Sequence, residues 1–217
     1  MEKVIAIVGM GGGISYASAL RFGRDGYHIA MIARNEEKLK VFKEMLFKDG
    51  IVSDYFVADV SIQKELTQAF KDLKTKMGEP EVLHFNAAKI KDRHILKESI
   101  ASIAADFKVN VGGALHAVKH VIRPMKKANK GTLLFTGGAL ALEPHPNYGS
   151  LSLGKAGLLN LVKQLGKELS YSNIKVGTVV VKGFVKAKDP KYNPTMIADE
   201  FWKIHEDVDK GLTIVEY

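Results

Sequence analysis

The chain has 217 residues, 46% of them hydrophobic, no cysteine, and a formal net charge of +8 at pH 7. That length and apolar content suit one folded domain with a sizeable core and exclude a disordered chain; the lack of cysteine excludes disulfide scaffolds, thiolate metal sites and cysteine nucleophiles. The positive balance fits either a polyanionic partner or an enzyme handling a phosphorylated small molecule, and does not choose between them.

The first apolar run stops at Gly9, too short for a secretory signal, and no run reaches the roughly 18 residues of a membrane span, so a cytoplasmic address is expected. Short β-rich runs then alternate with segments of helical period, the pattern of repeated βαβ units and a mostly parallel sheet. Strands are predicted over residues 4–9, 27–33, 52–58, 82–86, 131–136, 175–181 and 212–216. Helices are predicted over 13–24, over 35–49 with Asn35 as N-cap, and from the cap Ser61 to Met77, where Gly78-Glu79-Pro80 stops the third. Residues 95–130 are long enough for two helices, bent or broken between Ser99 and Lys108; 148–170 reads as one more, and 195–205 as a last short one.

The first strand runs directly into Gly9-Met10-Gly11-Gly12-Gly13-Ile14-Ser15 and then a helix. Without side chains the backbone at Gly9, Gly11, Gly12 and Gly13 can approach a pyrophosphate, with the N–H groups of Ile14 and the new helix pointing at the anion. The full G-x-G-x-x-G is not present, because Ile14 stands where the third glycine would fall; Gly9 and Gly13 fit G-x-x-x-G, with small Ser15 against the strand. A glycine-rich turn without a ligand is the alternative. At the end of the second strand stand Ala33-Arg34-Asn35, a cation where NAD(H) would call for a carboxylate, so NADP(H) is expected, its 2′-phosphate held by the guanidinium. Arg34 merely capping a surface strand, or Glu36 taking the acidic role, are the other readings. Asp59 and Val60 after the third strand pair a carboxylate with a backbone amide able to read the adenine edge; Asp59 as a plain turn residue is the alternative.

These residues resemble the short-chain dehydrogenase/reductase family over nearly the whole chain. Phe85-Asn86-Ala87-Ala88 is similar to the family's N-N-A-G segment, Asn110 sits at its active-site asparagine, Lys155-Ala156-Gly157-Leu158 matches the end of Y-x-x-x-K-A, Glu168-Leu169 follows one helix length later, and Gly183 resembles the glycine after the sixth strand. The resemblance implies a doubly wound Rossmann fold, α/β, with a mostly parallel seven-stranded sheet in the order 3-2-1-4-5-6-7 and a single domain over 1–217 with a short substrate lid within 184–209. It implies further cofactor contacts at Asn86, Ala87, Ala88, Lys155 and Gly183. The pattern breaks where Leu151 replaces the catalytic tyrosine and Gly138 the catalytic serine, and where Lys182 and Ala187 replace a proline and a threonine. Asn110 and Lys155 would then organise the site, with Tyr148 as substitute proton donor and His145, Ser150, Ser152 and Thr136 as other nearby groups. The function so implied is NADP(H)-dependent hydride transfer with a small carbonyl or alcohol; the alternative is a non-catalytic NADP(H)-binding sensor or partner subunit.

His116, Lys119, His120, Arg123, Lys126, Lys127 and Lys130 recur mostly at three- and four-residue steps as a basic stripe. No aromatic platform accompanies it, so a solvated face is expected rather than a nucleic-acid site. In the family the corresponding helix usually forms a subunit interface, which makes a homo-oligomer an open expectation. The histidines lack the i, i+4 pair with an added acid that a catalytic zinc needs, and no catalytic metal is expected.

Overall fold

Seven strands lie parallel in one sheet, in the order β3-β2-β1-β4-β5-β6-β7: β1 (Lys3–Val8), β2 (Tyr27–Ala33), β3 (Ser53–Val57), β4 (Val82–Phe85), β5 (Gly131–Thr136), β6 (Ile174–Val180) and β7 (Leu212–Glu216). The computed structural model describes residues 2–207 and 211–217. Parallel strands need crossover helices, which cover both faces and leave no side for polar alternation. Hence Val4, Ile5, Ala6, Ile7 and Val8 are all fully buried, and every residue of β5 is buried.

The crossovers are α1 (Ile14–Arg24), α2 (Glu36–Lys48), α3 (Gln63–Met77), α4 (Ile100–Phe107), α5 (Gly113–Ala128), α6 (Gly149–Glu168) and α7 (Pro194–Glu206). One face of the sheet packs Phe85 and Leu133 against Leu66, Phe70, Val121 and Val162, and the other packs Ile29 and Val179 against Phe22, Leu39 and Phe201. The expected order 3-2-1-4-5-6-7 is the observed one, and its reversal between β1 and β4 opens a crevice at the carboxyl ends of the strands.

Local signals were mostly sound, with two corrections. Asn35 caps α2 as expected, accepting the Lys38 N–H at 2.9 Å. Ser61 does not cap α3: the Asp59 carboxylate takes both its N–H and its hydroxyl, at 2.8 and 2.7 Å, so the hydroxyl is spent before the helix begins. The 95–130 stretch holds two helices, as expected, but the bend between them falls at Lys108–Gly112 and not between Ser99 and Lys108. Ile95–Lys97 is a single 3-10 turn, and the helix that starts at the Ser99 cap passes through a π turn at Lys108–Gly112 into α5.

Pro124 lies inside α5 and cannot donate to the carbonyl of His120. Lys74 of α3 replaces the missing donor, its Nζ 2.8 Å from His120 O. The predicted last helix is observed as α7 and is packed, not free: Ile197 and Phe201 are fully buried, and Arg21 stacks over Trp202 at 4.2 Å. Of the lid expected within 184–209, residues 184–193 form the exposed connection, and residues 208 and 209 lie outside the described residues. Among the described residues no helix is long and apolar enough to cross a membrane.

At the inner end of α7, His205 is buried between the Tyr27 hydroxyl, 2.7 Å from Nε2, and the Thr132 hydroxyl, 2.9 Å from Nδ1. Burial lowers its pKa to about 4. A histidine whose folded pKa lies below its unfolded value takes up its proton in the unfolded chain first. Its contribution is therefore intact above about pH 6.5 and is lost as the pH falls toward 4. Urea unfolding at a series of pH values should show stability falling by on the order of 2–3 kcal/mol from this group across that window, and His205→Gln should flatten the slope by up to one proton; an unchanged slope would refute the assignment.

Candidate functional site

The crevice is shaped first by Gly9. Its φ of +88° is in the left-handed region, and a Cβ there would lie 2.3 Å from the Ala87 nitrogen, so the turn requires glycine twice over. The N–H groups of Gly9 and Met10 both donate to Ile32 O, at 2.8 and 3.2 Å, which draws the end of β1 under β2. Ser15 closes the loop: its Oγ accepts the Gly11 N–H at 2.9 Å and donates to Gly11 O at 3.1 Å. Gly13 is the N-cap of α1, whose first-turn N–H groups have no carbonyl of their own helix to bond.

Around this turn lies a cavity of about 850 Å³, bordered by Gly9, Gly11 and Gly12, by Arg34 and Asn35, by Asp59 and Val60, and by Asn86, Ala87 and Ala88. Ten of the sequence-derived binding residues therefore meet in one place. Gly13, Ile14, Asn110, Tyr148, Lys155 and Gly183 do not border it. Arg34 reaches across the mouth to Asp59, Nη1 to Oδ2 3.5 Å. Burial opposes the charge on Asp59, but the hydrogen bonds from Ser61 and the Arg34 guanidinium outweigh it and hold the carboxyl below its usual value. Glu36, the other candidate for an acidic role, instead pairs with Lys40 and accepts from the Tyr55 hydroxyl. Its neighbour Glu37 borders the cavity, with Lys38, Val41 and Phe42 of α2.

Behind the cavity, Thr136 at the end of β5 joins four elements. Its hydroxyl donates to Asn86 Oδ1 at 2.8 Å and lies 3.0 Å from His84 Nε2, while its carbonyl accepts from Lys155 Nζ at 2.7 Å. Asn86 Nδ2 in turn donates to Gly9 O at 3.1 Å. Since the hydroxyl proton goes to Asn86, His84 must donate through Nε2, leaving Nδ1 the bare nitrogen; that atom is buried without a partner. Burial lowers the pKa of His84 to about 3 and that of Lys155 to about 8.

Asn110 is carried by the π turn and is buried. Its Oδ1 accepts the Lys89 N–H at 2.7 Å, while Nδ2 has no partner and faces α6 at Gly154, where a Cβ would come within 2.4 Å of it. Leu151, four residues before Lys155 on α6, is buried. Beside Lys155 there is room at Gly138, where an added Cβ would sit 3.5 Å from the lysine Cε, an ordinary contact.

Tyr148 is the N-cap of α6 and half-buried, and its hydroxyl has no hydrogen bond among the described residues. His145 is occupied in its loop, Nδ1 accepting the Asn147 N–H at 3.2 Å, and Ser150 donates to the buried Asp106 at 2.7 Å. Gly183 lets the Tyr192 ring lie on the backbone, where a Cβ would be 2.3 Å from it. His84 carried no sequence signal, since a single histidine in an apolar strand reads as packing. Thr136 was visible only as one hydroxyl among several.

The short chain dehydrogenase family matches residues 3–192. The chain belongs to that family. A human 3-oxoacyl-[acyl-carrier-protein] reductase is 30% identical over 186 residues, covering 85% of this chain and 76% of that protein. A glucose 1-dehydrogenase of Gluconobacter oxydans is 29% identical over 182 residues, covering 82% of this chain and 67% of that one. Two solved structures share the fold at low identity. ElxO with NADP bound has a TM-score of 0.86 at 18% identity, over 99% of this chain and 97% of that chain. A single-substitution variant of the actinorhodin polyketide ketoreductase with NADPH has a TM-score of 0.89 at 19% identity, over 98% and 95%.

In this short chain dehydrogenase the Thr136 hydroxyl is therefore a support placed directly behind the glycine turn. Thr136→Val removes it while keeping the shape, leaving the buried His84 Nε2 and Asn86 Oδ1 short of a partner. Urea denaturation should show a loss of about 2–4 kcal/mol, with Thr136→Ser close to the parent; equal stability of the valine variant would show the network to be idle.

Proposed function

We propose that the chain is an NADP(H)-dependent oxidoreductase acting on a small carbonyl or alcohol. The observation that carries this reading is Arg34 at the mouth of the crevice, on the end of β2 and paired only loosely with Asp59 at 3.5 Å. The residues present fit the cofactor: Gly9, Gly11 and Gly12 border the cavity without side chains, and Arg34 supplies the cation its 2′-phosphate needs. Asp59 and Val60 would take the adenine edge, Gly11 to Ile14 the pyrophosphate at the N-terminus of α1, and Asn86, Ala87, Ala88, Lys155 and Gly183 the nicotinamide half. The NADP and NADPH in the two structural neighbours support the same assignment.

When bound, the cofactor supplies hydride; the protein must bind and orient the carbonyl and move a proton. Lys155 holds its Nζ on Thr136 O, from where it can turn to a ribose hydroxyl. Burial disfavours its charge and lowers its pKa to about 8, which still leaves it mostly a cation at neutral pH. Asn110 accepts the Lys89 N–H and so anchors the segment after β4 to the π turn. We assign the proton to Tyr148, whose hydroxyl is uncommitted at the start of α6, three residues from Leu151. With Leu151 and Gly138 where the family carries tyrosine and serine, the protein is an atypical member.

A second reading, a non-catalytic NADP(H) binder, is favoured by the buried leucine at the proton donor's place. Fluorescence titration should show NADPH bound at least tenfold more tightly than NADH, with the preference abolished or reversed in Arg34→Glu; equal weak binding of both would overturn the cofactor assignment. NADPH turnover on a carbonyl panel should fall at least a hundredfold in Tyr148→Phe and Lys155→Ala. Turnover absent in the parent but present in the paired variant Gly138→Ser, Leu151→Tyr would establish the second reading.

A further inference from the structure

We propose that His116 and His120 of α5, with the Thr67 hydroxyl and the Gln63 carbonyl of α3, form a surface site for a divalent transition-metal ion of the zinc, nickel or copper class. The spacing of the two histidines puts them on one helix face. Their Nε2 atoms point at each other, 3.3 Å apart. Thr67 Oγ1 lies 3.1 Å from the first and 3.3 Å from the second, and Gln63 O lies 3.2 Å from His116 Nε2.

Hydrogen bonding satisfies this arrangement only in part: His116 can donate to Gln63 O and Thr67 to His120 Nε2, but no proton is then left between the two ring nitrogens. A neutral ring nitrogen is either one donor or one acceptor along one direction in the ring plane, yet three polar atoms crowd His116 Nε2. A tetrahedral ion would take these contacts together, the four separations being four of its six ligand–ligand edges. Ligand atoms about 2.0–2.1 Å from a zinc ion are about 3.3 Å from one another, and the observed separations run from 3.1 to 3.3 Å.

The rings are also held in place. His120 stacks on Phe70 at 5.0 Å and 16°, and His116 meets it edge-on at 4.8 Å and 88°.

The ligand set decides the class of ion. Two imidazoles without a carboxylate suit zinc, nickel and copper and offer little to magnesium or calcium. Among the described residues no three His, Cys, Asp or Glu side chains gather to hold a metal, so this is an exchangeable site rather than a closed structural one. Lys71 and Lys74 limit the affinity. None of the four residues borders the crevice at the strand ends; a bound ion would clamp α3 to α5 on its flank, next to the point where Lys74 already mends the Pro124 interruption.

The test is calorimetric titration of the full-length, tag-free chain with ZnCl₂ and NiCl₂ alone, with melting curves in parallel. One ion per chain should bind in the micromolar range and raise the melting temperature. His116→Ala and His120→Ala should each weaken binding at least tenfold and Thr67→Val a few-fold, while NADPH affinity, the control for folding, stays unchanged. If His120→Ala unfolds, His116→Asn, on the more open ring, carries the same expectation. Absence of binding up to millimolar metal, or binding undiminished in the histidine variants, would overturn the site.

Discussion

The site rests on a single threonine. Thr136 ends a fully buried strand, and its side-chain and backbone oxygens hold Asn86, His84 and Lys155 at once. Asn86 passes the constraint on to Gly9 O, so the glycine turn is fixed from behind by a chain of neutral, partly buried hydrogen bonds along the crevice wall. His84, Asn86 and Gly9 stand at or beside strand ends, with Lys155 reaching in from α6, and parallel pairing sets the strand ends level: Phe85 opposite Val8 on one side and Phe135 on the other. The register thus delivers the polar groups to one line, and Thr136 locks them there. On the far side, the His84 ring lies 4.4 Å from Phe201, which ties the same line to the buried face of α7.

Much of this was legible in the chain. Continuous apolar runs, glycine directly after the first of them and a helical period next specify a parallel sheet and the turn at its switch point, and each needs only local information. Arg34 was legible because one charge at the end of a buried strand has few places to go. The misses have a common cause, competition between neighbours that spacing does not show. Ser61 has the right residue type for a cap, but Asp59 reaches it first. His84 reads as filler until Thr136, 52 residues away, is seen beside it. The order of the seven strands was available only through the family resemblance, because periodicity does not encode which strand pairs with which.

The charge of the chain also resolves into parts. Residues 1–110 carry +2 and residues 111–217 carry +6, so most of the excess lies away from the glycine turn. The basic stripe is less uniform than its spacing suggests. Lys126 pairs with Glu168, Lys130 with Glu81, and both histidines turn inward to α3. Exposed pairs of this kind add little to stability, but they break the field that a continuous cationic face would present to a polyanion. At the crevice the opposite holds, since Arg34 remains largely exposed beside a single partly buried carboxylate.

The π turn at Lys108–Gly112 records one more residue than an α-helix would use there, closed by the Gly113 N–H on Lys108 O. Each residue of a helix turns its successors by about 100°. An uncompensated extra residue would swing α4 by that much relative to α5; the π turn absorbs it, so both helices keep their faces and Asp106 meets Ser150 while Ala117 and Val121 stay in the core. Removing that residue would restore a regular helix with both faces in place, and what would be lost is the bulge that carries Asn110. The residue count of this segment therefore specifies the site rather than the packing of the helices around it.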